Sequence, residues 1–530
     1  MSTSAIPSNL PPAPRQHRVL RVSPNDNVLI ALAPLPRGVA LDGEAITVGD
    51  EVPAGHKIAA RLIRAGESVL KYGYPIGVAT RDIAAGEHVH THNVASTLRG
   101  DFDAARWAPH PPARHELGPA TAPATFDGYR RADGRVGIRN EIWIVNTVGC
   151  VNNAAERIAA AAREELARPG SGIDGVYAFP HPFGCSQLGQ DLESTQRLLA
   201  GLVRHPNAAA VLLLGLGCEN NQMRSMLAEV SAVGAVPAGA KDAVLAPERV
   251  QYFNAQEVGD EVEEGMARVR QLAPVAGKAR REPVPVSELV IGMKCGGSDG
   301  LSGITANPLV GRIADRVTAA GGTVLLSEVP EMFGAEQVLL DRCVDGAVAK
   351  GTIDLVNEFR AYFRRHNQPI DENPAPGNKA GGITTLAEKS LGCVKKGGDA
   401  PVARVLGYGE PAPQRLGGIA LVNAPGNDGV SSTAMTAAGA QLLLFTTGRG
   451  TPLGFPAPTL KISTNSDLAR RKPSWIDFDA GPIASGAAGF DELRASLWTL
   501  IVDVASGRAR AKNEQNGFRE IAIWKDGVTL

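Results

Sequence analysis

The sequence carries no excess of charge of either sign. Over 530 residues the formal net charge is −1, so there is neither a basic stripe for nucleic acid nor a polybasic patch for an anionic membrane. No segment approaches the roughly 18 consecutive apolar residues that a membrane span requires. The opening stretch, MSTSAIPSNLPPAPRQH, lacks the apolar core of a secretory signal. Residues 1–17 therefore read as a disordered tail on a cytoplasmic protein. Cysteine is scarce: six residues, at 150, 185, 218, 295, 343 and 393. They lie too far apart for a small disulfide scaffold. In a reducing compartment their remaining roles are metal binding, chemistry or core filling.

Glycine, in contrast, is abundant at 60 residues, which points to several loops lined by backbone. Residues 18–98 alternate short apolar runs (VLIAL, ITV, YPIGVAT, HVHTHNV) with Asp/Gly/Pro turns, the pattern of a small β-rich domain. A Pro/Ala-rich linker is expected over 99–125. Beyond it, apolar strands such as EIWIVNTV, AAVLLLGL and LLLFTT alternate with helical runs such as NAAERIAAAAREELA and NPLVGRIADRVTAAG. That alternation predicts α/β portions built on largely parallel sheets. The expected bounds are 126–273 and 284–530, with a further division near Val405.

Four apolar runs end alike, in Cys150, Cys185, Cys218 and Cys295. Ligands of open α/β sheets bind beyond the carboxyl ends of the strands, and thiolates there suit iron, zinc or an iron–sulfur cluster. The plain alternative for each is a small buried hydrophobe. KCGGSDGLSGITANP, with Ser298, Asp299 and Ser302, has the glycines and hydroxyls of an anion-binding loop ahead of a helix, and matches no nucleotide fingerprint. NPAPGNKAGG and TTGRGTP add Asn378 and two cations, Lys379 and Arg449, that are suited to a carboxylate unless they are merely solvated. In GEHVHTHN, His88, His90 and His92 fall at every second position, which on a strand gives them one face for a metal or a carboxylate.

Long stretches then carry a resemblance. KYGYPIGVATRDIAAGEHVHTHN, GRVGIRNEIWIVNTVGCVN, GLGCENNQ, GGSDGLSGITANPLVGRIADRV, SEVPEMFGAEQ, NPAPGNKAGGITTLAEKSLGC and TTGRGTP resemble the family of aldonate and aldarate dehydratases that contains the altronate and galactarate enzymes. The resemblance implies an N-terminal SAF-type domain followed by two α/β domains. It implies loss of water from D-altronate to give 2-dehydro-3-deoxy-D-gluconate in galacturonate catabolism, with iron as cofactor and manganese as an alternative. Such chemistry removes the C2 proton and expels the C3 hydroxyl, and so wants a base and a metal. On this reading Cys150, Cys185, Cys218 and Cys295 supply the iron ligands, to mononuclear Fe(II) or to a cluster. His181, His56 and Lys379 are the catalytic candidates, and either histidine has a structural role as its alternative. Arg449, Ser298, Asp299, Ser302 and Asn378 hold the substrate, with His88, His90 and His92 as a recognition surface. The partner is a small sugar acid, and assembly as a homo-oligomer is compatible with the sequence. Galactarate, another sugar acid or a sulfonated hydroxy acid is the alternative substrate. A non-catalytic sugar-acid binding protein is the alternative of a different class.

Overall fold

A computed structural model describes residues 19–102, 125–232 and 244–530. The expected tail and nearly all of the expected linker lie outside the described residues. The first portion is β-rich. One antiparallel sheet orders Val19–Leu20, Val28–Ala31, Lys57–Ala59 and His88–Val89; a second orders Ser68–Lys71, Tyr74–Ala79 and Val94–Ala95. Their strands are short because a turn interrupts each apolar run. Gly86 marks one such turn: its φ is +81° and a Cβ there would lie 2.0 Å from the Thr47 carbonyl oxygen. Only glycine fits this approach, and it delivers the chain into the histidine strand.

The second portion is a four-stranded sheet ordered Gly175–Ala178, Glu141–Asn146, Ala208–Gly215, Val250–Asn254, every pair parallel. All eight residues of Ala208–Gly215 are buried, as expected of a parallel strand covered on both faces. The helix Glu261–Lys278 starts at Asp260, whose carboxylate accepts from the backbone N–H of Val262 and Glu263. It runs through Ala273, where the second portion was expected to end. The chain then forms Glu282–Pro285, which pairs with Thr125–Arg130 in a small antiparallel sheet.

The third portion is a seven-stranded parallel sheet. Its order is Val402–Leu406, Gly418–Val422, Thr323–Leu326, Val290–Cys295, Leu442–Thr447, Thr459–Ser463, Phe478–Asp479. No division falls near Val405, because that residue sits in an edge strand paired in parallel with Gly418–Val422. Alternate strand residues face opposite cores. Ile291 and Met293 pack with Leu309, Ile313 and Trp498, while Val290 and Leu443 pack with Met435 and with Leu198 and Leu202 of the second portion. The two α/β portions thus share a core. Their helices Gly189–Arg204 and Asp428–Ala437 approach so closely that a Cβ on Gly201 would lie 2.4 Å from the Ala437 carbonyl oxygen. No helix among the described residues is long and apolar enough to cross a membrane.

In the seven-stranded sheet the connections run one way from Val290–Cys295 and the other way from Leu442–Thr447, which are neighbours. Their carboxyl ends form a topological switch point, the usual place for a ligand in such sheets.

Candidate active site

The loop Gly296–Gly300 leaves the first of these two strands. At φ +62°, Gly297 turns its carbonyl to accept from the backbone N–H of Gly448 (3.1 Å) and Arg449 (3.0 Å), tying together the loops that follow the two strands. Asp299 is engaged within this frame. Its carboxylate accepts from Thr464 Oγ1 at 2.9 Å, Asn465 Nδ2 at 3.2 Å and Ser302 Oγ at 3.0 Å. Burial raises its pKa, against the pull of these donors. Asn378 donates to the Ser298 carbonyl at 2.8 Å and accepts from Ala375 N. These side chains shape the loops. Lys379 and Arg449 differ: among the described residues neither has a carboxylate partner within salt-bridge range. The short helix Pro376–Ala380, which carries Lys379, packs against the arginine's loop, since a Cβ on Gly377 would lie 3.7 Å from Arg449 Nε.

The β-rich domain closes this region. Gly300 and Gly55 meet so tightly that a Cβ on Gly300 would lie 1.9 Å from the Gly55 carbonyl oxygen. Beside that contact, Lys57 and Lys71 both bond Glu388 (2.8 Å each), all three side chains being buried. Burial alone would raise Glu388, but the two ammonium groups outweigh it and hold the carboxyl down to about 2. This three-charge group pins the docked domain.

Docking also sets the histidines. His56 Nε2 lies 3.3 Å from the Ala380 carbonyl oxygen, and its Nδ1 lies 3.0 Å from His88 Nε2. His90 Nδ1 lies 3.0 Å from Thr384 Oγ1. The His88 ring centroid is 5.6 Å from His90 and 5.3 Å from His92. The strand itself covers only His88–Val89, so a turn, not a strand face, gathers the other two rings. Burial first, then the neighbouring His56 and His92 rings, push His88 down to about 4; burial, then Lys57, push His90 to about 3. His56 is also lowered, chiefly by burial. At neutral pH the His88 and His90 imidazoles are uncharged.

The four strand-end thiols divide three and one. Cys295 is buried, its sulfur 3.7 Å from that of Cys393, a residue the strand-end pattern did not single out. With Glu328 and Glu331 these thiols form a buried group whose ligating atoms all lie within 4.8 Å of one another, a donor set able to bind a metal. Lys396 Nζ stands among them, 2.9 Å from Cys295 Sγ, 3.0 Å from Cys393 Sγ and 2.5 Å from Glu328 Oε2, and Lys294 also pairs with Glu328. The hydrogen bond with Cys393 lowers the Cys295 thiol and raises its own. A metal here would have to displace the Lys396 ammonium. The sequence signal for this centre was the acidic pair in SEVPE and the lysine three residues after Cys393, charges set at the ends of apolar runs.

Cys150, Cys185 and Cys218 are exposed and follow three adjacent parallel strands of the four-stranded sheet. Their loops are laced together. Gly149 N donates to Phe183 O (2.9 Å), Asn221 N to Gly184 O (2.9 Å), and Ser186 N to Asn220 Oδ1 (2.8 Å). His181 maintains this lacing. It is buried, with Nε2 donating to the Asn146 carbonyl (2.9 Å) and Nδ1 accepting from Phe183 N (3.2 Å). Both ring nitrogens are engaged by backbone. The structure thus places His181, the expected acid or base, beneath the Cys185 loop with both nitrogens on backbone.

The geometry has counterparts in known proteins. Residues 17–97 match the altronate/galactarate dehydratase SAF domain. Residues 128–277 match the D-galactarate dehydratase/altronate hydrolase second domain, and residues 286–529 the D-galactarate/altronate dehydratase C-terminal domain. Altronate dehydratase of Escherichia coli K12 is 48% identical over 96% of this chain and 99% of its own length. That of Bacillus subtilis 168 is 45% identical over 96% and 99%. Galactarate dehydratase (L-threo-forming) of E. coli K12 is 32% identical over 94% of each. The docked SAF domain, the two α/β domains and these full-length likenesses agree: the chain belongs to the altronate/galactarate dehydratase family.

Proposed function

We propose that the protein is a hydro-lyase that converts D-altronate to 2-dehydro-3-deoxy-D-gluconate and water. The observation that carries this reading is the cleft at the switch point, where two cations without carboxylate partners meet a docked domain rich in neutral imidazoles. It is supported by the greater identity to the two altronate dehydratases than to the galactarate enzyme.

Arg449 takes the substrate carboxylate through its planar fork of donors, holding the acid in one orientation. Lys379 accepts the C2 proton. Of the three acid/base candidates it alone has a nitrogen not already engaged, since His181 and His56 have both ring nitrogens bound. Loss of that proton sends charge onto the carboxylate as an enediolate, which Arg449 neutralises. The C–O bond at C3 then breaks, hydroxide leaves as water with the proton that Lys379 took from C2, and the resulting enol tautomerises to the 2-keto acid. Glycine-lined backbone at residues 296–300 and 448–450 walls the cleft without bulky side chains.

Iron, which the family resemblance implies, would draw soft donors from Cys150, Cys185 and Cys218, exposed thiols on loops that follow neighbouring strands and whose sulfurs are not gathered within 4.8 Å of one another here. When bound it supplies a Lewis acid for departure of the hydroxyl group. Cys295 drops out of this set, because its sulfur is held by Cys393 and Lys396. Assay of altronate, galactarate and related acids under anaerobic, iron-replete conditions tests the reading. Altronate is expected to give the 2-keto-3-deoxy product with the highest kcat/KM. Faster turnover of galactarate would assign the chain to that substrate instead, and binding without turnover would make it a sugar-acid binding protein.

A further inference from the structure

We infer that a buried group of arginines, where the two α/β domains meet, binds a small anion of the halide class. The group comprises Arg131, Arg135, Arg204 and Arg249. Arg204 is 2% exposed and Arg249 7%. Among the described residues one carboxylate serves all four within salt-bridge range: Asp133, which takes Arg135. Asp174 and Glu229 act on Arg131 and Arg204 only from farther away. The remaining partners are neutral. Arg204 donates to the carbonyls of Glu229 (3.1 Å) and Val230 (3.3 Å), and Arg249 to those of Val244 and Val203 (3.1 Å each). Arg131 donates to the Pro206 and Arg139 carbonyls and to Asn140. Two guanidinium nitrogens are left over. Arg204 Nη2 and Arg249 Nε are buried without a hydrogen-bond partner.

Such a group is out of balance. A guanidinium keeps its proton in proteins, and a buried cation without a counter-charge is costly. Burial first, then Arg135, lowers Arg204 to about 10 and Arg249 to about 9, so both stay charged at neutral pH. His205 beside them is neutral: burial pushes it to about 3, and its nitrogens serve the Ala440 carbonyl and the Asn207 N–H. A cavity of about 20 Å³ lies here, lined by Arg135, Arg204, His205, Gln414 and Gln441 among others. It has room for one water-sized group, too little for an oxyanion of phosphate size. A monatomic anion accepts hydrogen bonds from any direction, so it suits donors that do not share a plane. The place is distinct from the cleft. His205 stands just before Ala208–Gly215, Arg249 just before Val250–Asn254 and Gln441 just before Leu442–Thr447, all at amino ends of strands. Around the cavity the domains are stitched by His205 Nε2 to the Ala440 carbonyl (3.1 Å) and Asn207 Nδ2 to the Gln441 carbonyl (3.0 Å). A bound halide supplies the missing negative charge at that seam and so stabilises the junction of the two domains. The inference does not rest on the proposed substrate.

Thermal unfolding of the full chain at constant ionic strength, in chloride against methanesulfonate, tests the inference. Chloride is expected to raise the melting temperature saturably, by at least about 3 °C, because only the folded chain holds the site. Arg204→Met is expected to lose that increment whatever its starting stability. Arg404→Ala, an exposed change on the edge strand Val402–Leu406, is expected to keep it. A crystal of the parent grown in bromide is expected to show an anomalous peak against Arg204 and Arg135, which decides the matter if Arg204→Met does not fold. Equal melting in the two salts, or a cavity without bromide, would overturn the inference. An increment retained in Arg204→Met would also overturn it, because chloride would then act elsewhere. Stabilisation by phosphate and not by chloride would overturn the halide assignment.

Discussion

At the scale of single residues, the cleft separates side chains that hold the structure from side chains that are free to act. Glu388 belongs to the first kind. Replacing it by alanine leaves two buried ammonium groups unpaired and is expected to cost about 3–5 kcal/mol, read as a fall in thermal stability and as proteolytic release of the SAF domain. The same residue sets an acid limit. Its folded pKa, about 2, lies below the ordinary 4.5, so its contribution is complete above the ordinary value and drains away as pH falls towards 2. Melting temperature measured from pH 6 to pH 2 should drop more steeply in the parent than in Glu388→Gln. Arg449 and Lys379 belong to the second kind. Arg449→Met is expected to raise KM for altronate roughly 10- to 100-fold, the value of a charge-assisted hydrogen bond. Lys379→Met is expected to lower kcat at least about 100-fold with little change in KM, and to abolish exchange of the C2 proton with solvent. Equal effects of both variants on KM alone would remove Lys379 from the proton-transfer step.

At the scale of elements, the parallel strands were legible because their runs are continuously apolar, and helices such as Asn152–Leu166 because their apolar positions recur on one face. The strand endings were legible too, and all four cysteines do follow strands. What the endings could not show is which sheet each strand joins, so one predicted pool of four thiols became an exposed trio and a buried Cys295, which pairs instead with Cys393. The turns that carry the cleft depend on backbone contact more than on side chains. Gly300→Ala places a methyl group against the Gly55 carbonyl, a clash that one rotamer change cannot relieve. It is expected to destabilise by about 1–3 kcal/mol and to undock the SAF domain, which limited proteolysis after residue 98 would reveal. The histidine segment shows the reverse case. Its alternation suggested one strand face, and the rings gather even though a turn carries two of them, because Gly86 and the docking contacts fix where the segment lies.

At the scale of the molecule, the α/β domains are joined through a common core, and the SAF domain through apolar packing together with polar and glycine-lined contacts. The first junction is apolar and close, with Gly201 against Ala437. The second adds buried charges to its apolar packing, Glu388 with Lys57 and Lys71, so it is the one that low pH disturbs first. Thiol reactivity reports the same organisation. Three cysteines are exposed and three buried, so a native apoprotein should react rapidly with a chromogenic disulfide at three thiols and at all six only when unfolded. Iron bound at the trio should protect the fast class. Protection of a buried thiol instead would move the metal to the Cys295–Cys393 centre.

The sequence by itself determined the strands and helices of the α/β domains, the β-rich start of the chain, and the motifs that carry the family resemblance. These are local matters, set by apolar periodicity, turn residues and contiguous stretches. The tertiary structure alone decided that His56 meets Ala380, 324 residues away, that Lys57 and Lys71 find Glu388, and that Lys396 lies between two thiols. A buried charge or a neutral imidazole is stable only beside its partner, and the partner comes from another part of the chain. No periodicity records such a pairing, because it exists only once the domains have docked.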